Sequence, residues 1–253
     1  MIAIIRPGLV RQDRLILIGA LLLLSVLAAA AIWGWQASPY GRYLGHEGGG
    51  GDLVLEVAAF AAGWLLMIVA MMLPTTIPLV ASFAMLVRRR DGYRTLVGLV
   101  VAAYVLTWSA FGLAAYVADR GIHAAVEAIP LLAAYPQLVM GATLAIAGLW
   151  QFSPLKYRCL DECRSPLGFV LHRWRGADPR REAFALGVAH GIFCIGCCWS
   201  MMLVMFGVGM GNLAWMLLLG AVMAIEKNAT WGRRMTRPLG VALLLAAVAA
   251  ISA

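Results

Sequence analysis

The segment His190-Gly191-Ile192-Phe193-Cys194-Ile195-Gly196-Cys197-Cys198-Trp199-Ser200-Met201-Met202 gathers three of the chain's five cysteines. Wound as a helix, it places His190, Cys194, Cys197, Cys198, Met201 and Met205 on one arc of about 100°. Met202 falls about 120° from His190, outside that arc. Cys194 and Cys198 are one turn apart, so two sulfurs can approach one ion. Imidazole, thiolate and thioether together suit a soft metal, Cu(I) before Zn(II). A histidine inside a membrane is costly to leave unpaired, which argues for a role. Two rival readings of this stripe stay open. Gly187, Gly191, Gly196, Gly207, Gly209 and Gly211 make a smooth packing helix on which cysteine is a small hydrophobe. Thiol redox chemistry is the other rival. It would use Cys194 with Cys198 or a more distant cysteine, because the adjacent Cys197 and Cys198 diverge by about 100°.

The other two cysteines stand as Cys159-Leu160-Asp161-Glu162-Cys163, flanked by Lys156, Arg158 and Arg164. Nearby cations favour thiolates, and such a pair can capture a metal or pass one on. The alternative is a basic loop that binds lipid phosphate, with incidental cysteines. Met71-Met72-Leu73-Pro74-Thr75-Thr76-Ile77-Pro78 sits in an apolar run too long for one straight crossing. Pro74 and Pro78 each delete a helical hydrogen bond, so either a simple kink or a broken helix beside a polar cavity is expected. In that cavity Met71 and Met72 would add thioethers to the cysteine stripe. Weaker candidates are His123 with Glu127, expected as a solvated pair, and Gly45-His46-Glu47, expected as a flexible loop. Glu226-Lys227 is expected as a neutralised pair at a membrane edge, with Glu226 able to reach toward the cluster. Gly141, Ala145 and Gly148 form a small-residue packing face.

What must position these groups is a membrane bundle. Of the 253 residues, 63% are hydrophobic and 13% charged, and mean hydropathy is +0.87. A soluble globule carries roughly 25% charge. Apolar runs predict an all-α, polytopic bundle of about seven spans near 15–35, 53–87, 95–118, 131–152, 183–208, 212–226 and 238–253. The count becomes six if a short one does not cross. Eighteen of the 20 basic residues fall on one side of this alternation, and only Arg42 and Arg120 on the other. The positive-inside rule then puts the N-terminus in the cytoplasm, and the net charge of +8 records topology rather than nucleic-acid binding. The chain reads as a single integral membrane domain, 1–253, with 153–182 as its longest cytoplasmic loop. Within that loop Phe169 to Trp174 form a short interfacial helix, and Asp178-Pro179 opens span five.

In their order along the chain, several motifs resemble those of a bacterial family of predicted metal-binding integral membrane proteins, the domain of unknown function 2182. They are Met71-Met72-Leu73-Pro74, Gln151-Phe152-Ser153-Pro154-Leu155-Lys156 with Cys159 and Cys163, Gly196-Cys197-Cys198-Trp199, and Glu226-Lys227. The resemblance covers roughly residues 55 to 230 and implies a polytopic bundle with a metal site in a bacterial inner membrane. It implies no reaction. The expected function is therefore to bind a soft metal, copper first, between spans two and five, for handling or delivery rather than turnover. The expected ligands are His190, Cys194, Cys197, Cys198 and Met201, with Met71 and Met72 as partners. Cys159 and Cys163 would be a cytoplasmic donor or acceptor. Besides lipid, the expected partners are a metal donor or acceptor protein, subunits of a membrane complex, or further copies of the chain. Two alternatives remain: a membrane oxidoreductase, copper-based or thiol–quinone, and a non-catalytic subunit of a larger complex.

Overall fold

A computed structural model describes residues 7–38, 41, 53–135, 137–208 and 212–252. Gly45, His46 and Glu47, together with Arg6, Arg42, Gly209 and Gly211, lie outside the described residues. The described residues are helical, with no strand among them. In order these are α1 (Pro7–Gln36), α2 (Leu53–Met67), a π-helical turn (Ile68–Met72), α3 (Leu73–Val87), α4 (Tyr93–Ala128) and α5 (Pro130–Ala134). Then come α6 (Gln137–Trp150), α7 (Pro154–Arg164), α8 (Pro166–Arg173), α9 (Pro179–Val208), α10 (Leu213–Asn228) and α11 (Gly232–Ser252). Helices are what apolar sequence must form in lipid, where each backbone polar group has to be satisfied within the segment. Large apolar side chains face outward along α1, α4 and α11, among them Leu23, Val117, Leu245 and Val248. Such a girdle is stable only against a non-aqueous surround.

Among the described residues, five helices are long and apolar enough to cross a membrane, and six if the bent pair α6–α7 counts as one span. The seven-span expectation differs in two places. The stretch 131–152 divides into the short α5 and the 14-residue α6. Pro130 starts one piece, and Tyr135 leaves helical geometry between them. The sixth segment is α10, whose 16 residues make about 24 Å of helix against a bilayer core of roughly 30 Å. The third runs further than expected, so His123 and Glu127 are helical rather than in a loop. His123 turns to Asp119, whose carbonyl is 3.0 Å from Nδ1.

The expected loop at 153–182 is mostly helix. Ser153 caps α7 by accepting the Leu155 N–H at 3.2 Å, with Pro154 in the first turn. At Trp150 the chain bends by 65° from α6 to α7, and α7 folds back against the middle of α9. α8 follows and packs on α3, with Trp174 edge-on to Phe83 at 4.9 Å. Gly176, at φ +77°, makes the turn into α9, where the Glu182 carboxylate accepts four backbone N–H groups from Arg175 to Asp178. Three of the basic clusters are tied together at one end. Arg90 donates to the Gly176 carbonyl, Arg164 to that of Thr230, and Arg233 pairs with Asp161.

Glycines set how closely the helices approach. A Cβ on Gly187 would lie 2.3 Å from the Val100 carbonyl oxygen, and one on Gly191 would lie 2.8 Å from Thr107. α9 thus lies backbone-close to α4. Gly148 does the same for α6 against α11, where a Cβ would meet the Gly240 carbonyl at 3.0 Å. The packing reading of the α9 glycines therefore holds for Gly187 and Gly191. It leaves the cysteines to a different neighbour.

Candidate metal centre

The proline-rich segment does not break its helix; it widens it. The π turn makes the Leu73 N–H reach back to the Ile68 carbonyl, one residue further than in an α-helix. Pro74 supplies no N–H, so carbonyls of this turn need other donors. Ser25 of α1 donates to Val69 at 2.9 Å, Thr75 to Met72 at 2.8 Å and Thr76 to Leu73 at 2.8 Å. The Tyr104 hydroxyl also lies 3.5 Å from the Met72 carbonyl. The widened turn pushes Met71 and Met72 into the core, both buried, with Met71 against Gly220 of α10.

On α9 every residue of the expected arc is buried: His190, Cys194, Cys197, Cys198, Met201 and Met205. Met202, expected outside the arc, is as deeply buried, because α9 is enclosed on more than one face. Cys197 Sγ lies 3.4 Å from Cys198 Sγ and donates to the Cys194 carbonyl at 3.2 Å. From α7, Cys163 comes within 4.0 Å of Cys197. Cys159 sits over Gly196, so closely that a Cβ there would be 2.5 Å from its sulfur. Cys159 and Cys163, expected in a separate loop, therefore join the α9 thiols in one sulfur-rich zone. The cause is the bend after Trp150, whose indole N–H is anchored on the Gly196 carbonyl at 3.1 Å. All five cysteines are free thiols.

Sequence reasoning missed the cation of this zone. Lys227, buried at the end of α10, donates to Cys194 Sγ at 2.8 Å and to Thr75 Oγ1 at 3.2 Å, with Met72 Sδ at 4.0 Å. The Tyr104 hydroxyl is on the same sulfur at 3.0 Å. Glu226 faces the other way. It pairs with the fully buried Lys156 at 2.9 Å, and Lys156 also donates to Gln151. Glu226 and Lys227 are thus not a mutual pair, since neighbours on a helix diverge by about 100°. The only sequence hint was that both charges close an apolar run.

His190 stacks on Tyr104 at 5.5 Å and meets the edge of Phe169 at the same distance. Its Nδ1 is buried without a hydrogen-bond partner. An unpartnered buried ring nitrogen is a costly arrangement that a bound ion would relieve. Among the described residues no three His, Cys, Asp or Glu side chains form a group that could hold a metal ion. The thiols contact one another, Tyr104 and Lys227 instead. The donor set nonetheless has the chemistry of a soft-metal site, with thiols and thioethers abundant and carboxylates turned away.

No curated protein matches the chain, and no solved structure does. A family model described as copper chaperone, PpoB2, matches residues 61–250, a stretch that takes in the π turn, both cysteine motifs and Lys227. The match covers most of the chain, and the protein belongs to this copper chaperone family.

Proposed function

We propose that the protein binds Cu(I) as cargo among the sulfurs at the middle of α9 and exchanges it with a donor or acceptor protein. The observation that carries this reading is the gathering of Cys163, Cys194, Cys197 and Cys198 beside the buried Met72 in a chain of a copper chaperone family. Cys194, Cys197, Cys198 and His190 would hold the ion, with Met71, Met72 and Met201 as thioether partners. Cys159 and Cys163 would relay it. Lys227 and Cu(I) compete for the same sulfur, so loading requires the ammonium to give way at Cys194. Thiolates and thioethers select Cu(I) over harder ions, which supports copper rather than zinc. The motifs resembling the domain of unknown function 2182 belong, in this reading, to the same copper-handling lineage.

The proposal extends to a bacterial inner membrane, seven passes and a cytoplasmic N-terminus. It is supported by the basic clusters that meet at one end of the bundle. The deciding measurement is copper per chain, on monodisperse protein purified in mild detergent after copper-supplemented growth. A wild type without copper would end the reading. The 4.0 Å approach of Cys163 to Cys197 favours one alternative, a thiol-redox membrane enzyme. Recovery of a Cys163–Cys197 disulfide from freshly lysed cells, with no copper bound, would support it instead.

A further inference from the structure

Between α7, α8 and the start of α11 lies an open groove of about 950 Å³, lined by Arg158, Arg173, Arg233 and Arg237 against Asp161 and Glu162. Arg233 is held by Asp161 at 3.0 Å and Arg173 by Glu162 at 3.4 Å. Among the described residues Arg158 and Arg237 have no carboxylate partner, and both are exposed. The groove thus offers two uncompensated guanidiniums. It is also set against the metal stripe. Its wall includes Phe169, whose ring meets His190 edge-on at 5.5 Å and Phe193 at 5.8 Å. The Arg173 guanidinium lies over the Phe169 ring at 3.9 Å and over Phe193 at 5.3 Å. Phe169 therefore stands between the groove and the His190 ring, whose Nδ1 is unpartnered. α7 and α8 lie along the middle of α9, so the groove opens beside the stretch that carries His190 and Cys197.

We propose that this groove is the loading port of the copper site and that it takes Cu(I) as a small anionic thiolate complex. The inference rests on the copper reading above and names the carrier class. A net-positive groove repels a bare cation and concentrates an anion. Soft thiolates are the ligands that hold Cu(I), and a small carboxylate-bearing thiol makes their complex with it negative. The volume is that of a small-molecule pocket, whereas a docked protein domain needs a face of roughly 800 Å². Transfer is ligand exchange without redox change. Each carrier sulfur–copper bond that breaks is replaced by one to a sulfur of this chain. The proton of each incoming thiol passes to the carrier thiolate it releases, and copper stays Cu(I).

The test follows uptake by the full chain in mild detergent, without oxygen, from two probes of opposite charge. One is the anionic bis-bicinchoninate Cu(I) complex, whose colour fades as copper leaves it; the other is the cationic acetonitrile complex. The double variant Arg158→Gln/Arg237→Gln should take copper from the anionic probe about tenfold more slowly than wild type. With the cationic probe it should be no slower than wild type, and it should reach the same final copper per chain. Raising the salt should shrink the difference between variant and wild type. Arg88→Gln/Arg89→Gln, which removes as much charge away from the groove, should leave both rates alone. Unchanged uptake from the anionic probe, or equal slowing with both probes, would overturn the port while leaving the copper site standing. A wild type that takes copper from neither probe would overturn the copper reading and the port together.

Discussion

At the scale of single residues, the copper reading places its demands on sulfur atoms already in contact. Removing one ligand from a buried soft site leaves its partners desolvated and unpaired, which costs more than the lost bond. Cys194→Ser and Cys198→Ser should therefore each lose most of the bound copper rather than half, read as copper per chain on monodisperse protein. Cys197→Ala should lose copper as well if it ligates, and keep it if it only packs. Full retention in all three variants would leave the stripe as packing. Accessibility separates the two relay cysteines. Cys159 is buried and Cys163 half-buried, so a small thiol reagent should modify Cys163 first. Prior loading with Cu(I) should slow that modification. A rate indifferent to copper would remove Cys163 from the relay.

Between elements, the placement of α7 depends on a buried ion pair. Lys156 on α7 and Glu226 on α10 are both almost wholly buried, and Arg164 adds bonds to the carbonyls of Glu226 and Thr230. Breaking one partner of such a pair leaves a buried charge uncompensated, at a cost of about 3–5 kcal/mol. Lys156→Met alone should lower the melting temperature in detergent markedly, whereas Lys156→Met/Glu226→Leu should recover much of the loss. Similar melting for the single and double variants would mean that the pair does not hold α7 in place. The α4–α9 contact makes a contrasting prediction. Gly187→Ala pushes a Cβ into a backbone carbonyl and should destabilise by about 1–3 kcal/mol. Gly98→Ala, exposed on α4 with nothing within 4 Å of the new atom, should be neutral or stabilising by up to about 1 kcal/mol.

For the molecule as a whole, the proposed topology makes the basic clusters its cytoplasmic face. Reporter fusions after Arg94 and after Arg181 should read cytoplasmic, and one after His123 extracytoplasmic. A cytoplasmic His123 would break the seven-pass arrangement. The short α10 matters most here. It carries Lys227 to Cys194 at one end, and its length alone falls below that of an ordinary span. A fusion in the connection between α9 and α10 should read extracytoplasmic if α10 crosses. A cytoplasmic reading there would leave α10 embedded without crossing.

Several features were legible in the residues themselves. Composition pointed to a membrane protein, because so little charge cannot wet a soluble surface, and the long apolar runs pointed to the helices that the structure contains. The period of α9 put His190 and its cysteines on one buried face, because 3.6 residues per turn is a local property of the backbone. Asp178-Pro179 marked the start of α9 for an equally local reason. Pro74 announced an irregularity, but whether freed carbonyls would open a cavity depended on donors from elsewhere, and Ser25, Thr75 and Tyr104 supplied them. The meeting of Cys163 with Cys197 needed the 65° bend after Trp150, and nothing in the spacing of two cysteine motifs sets that angle. The parting of Glu226 and Lys227, one toward Lys156 and the other toward Cys194, was decided by which helices stand on either side of α10. Local periodicity determines the face on which a side chain lies; only the packing of distant helices decides what it meets there.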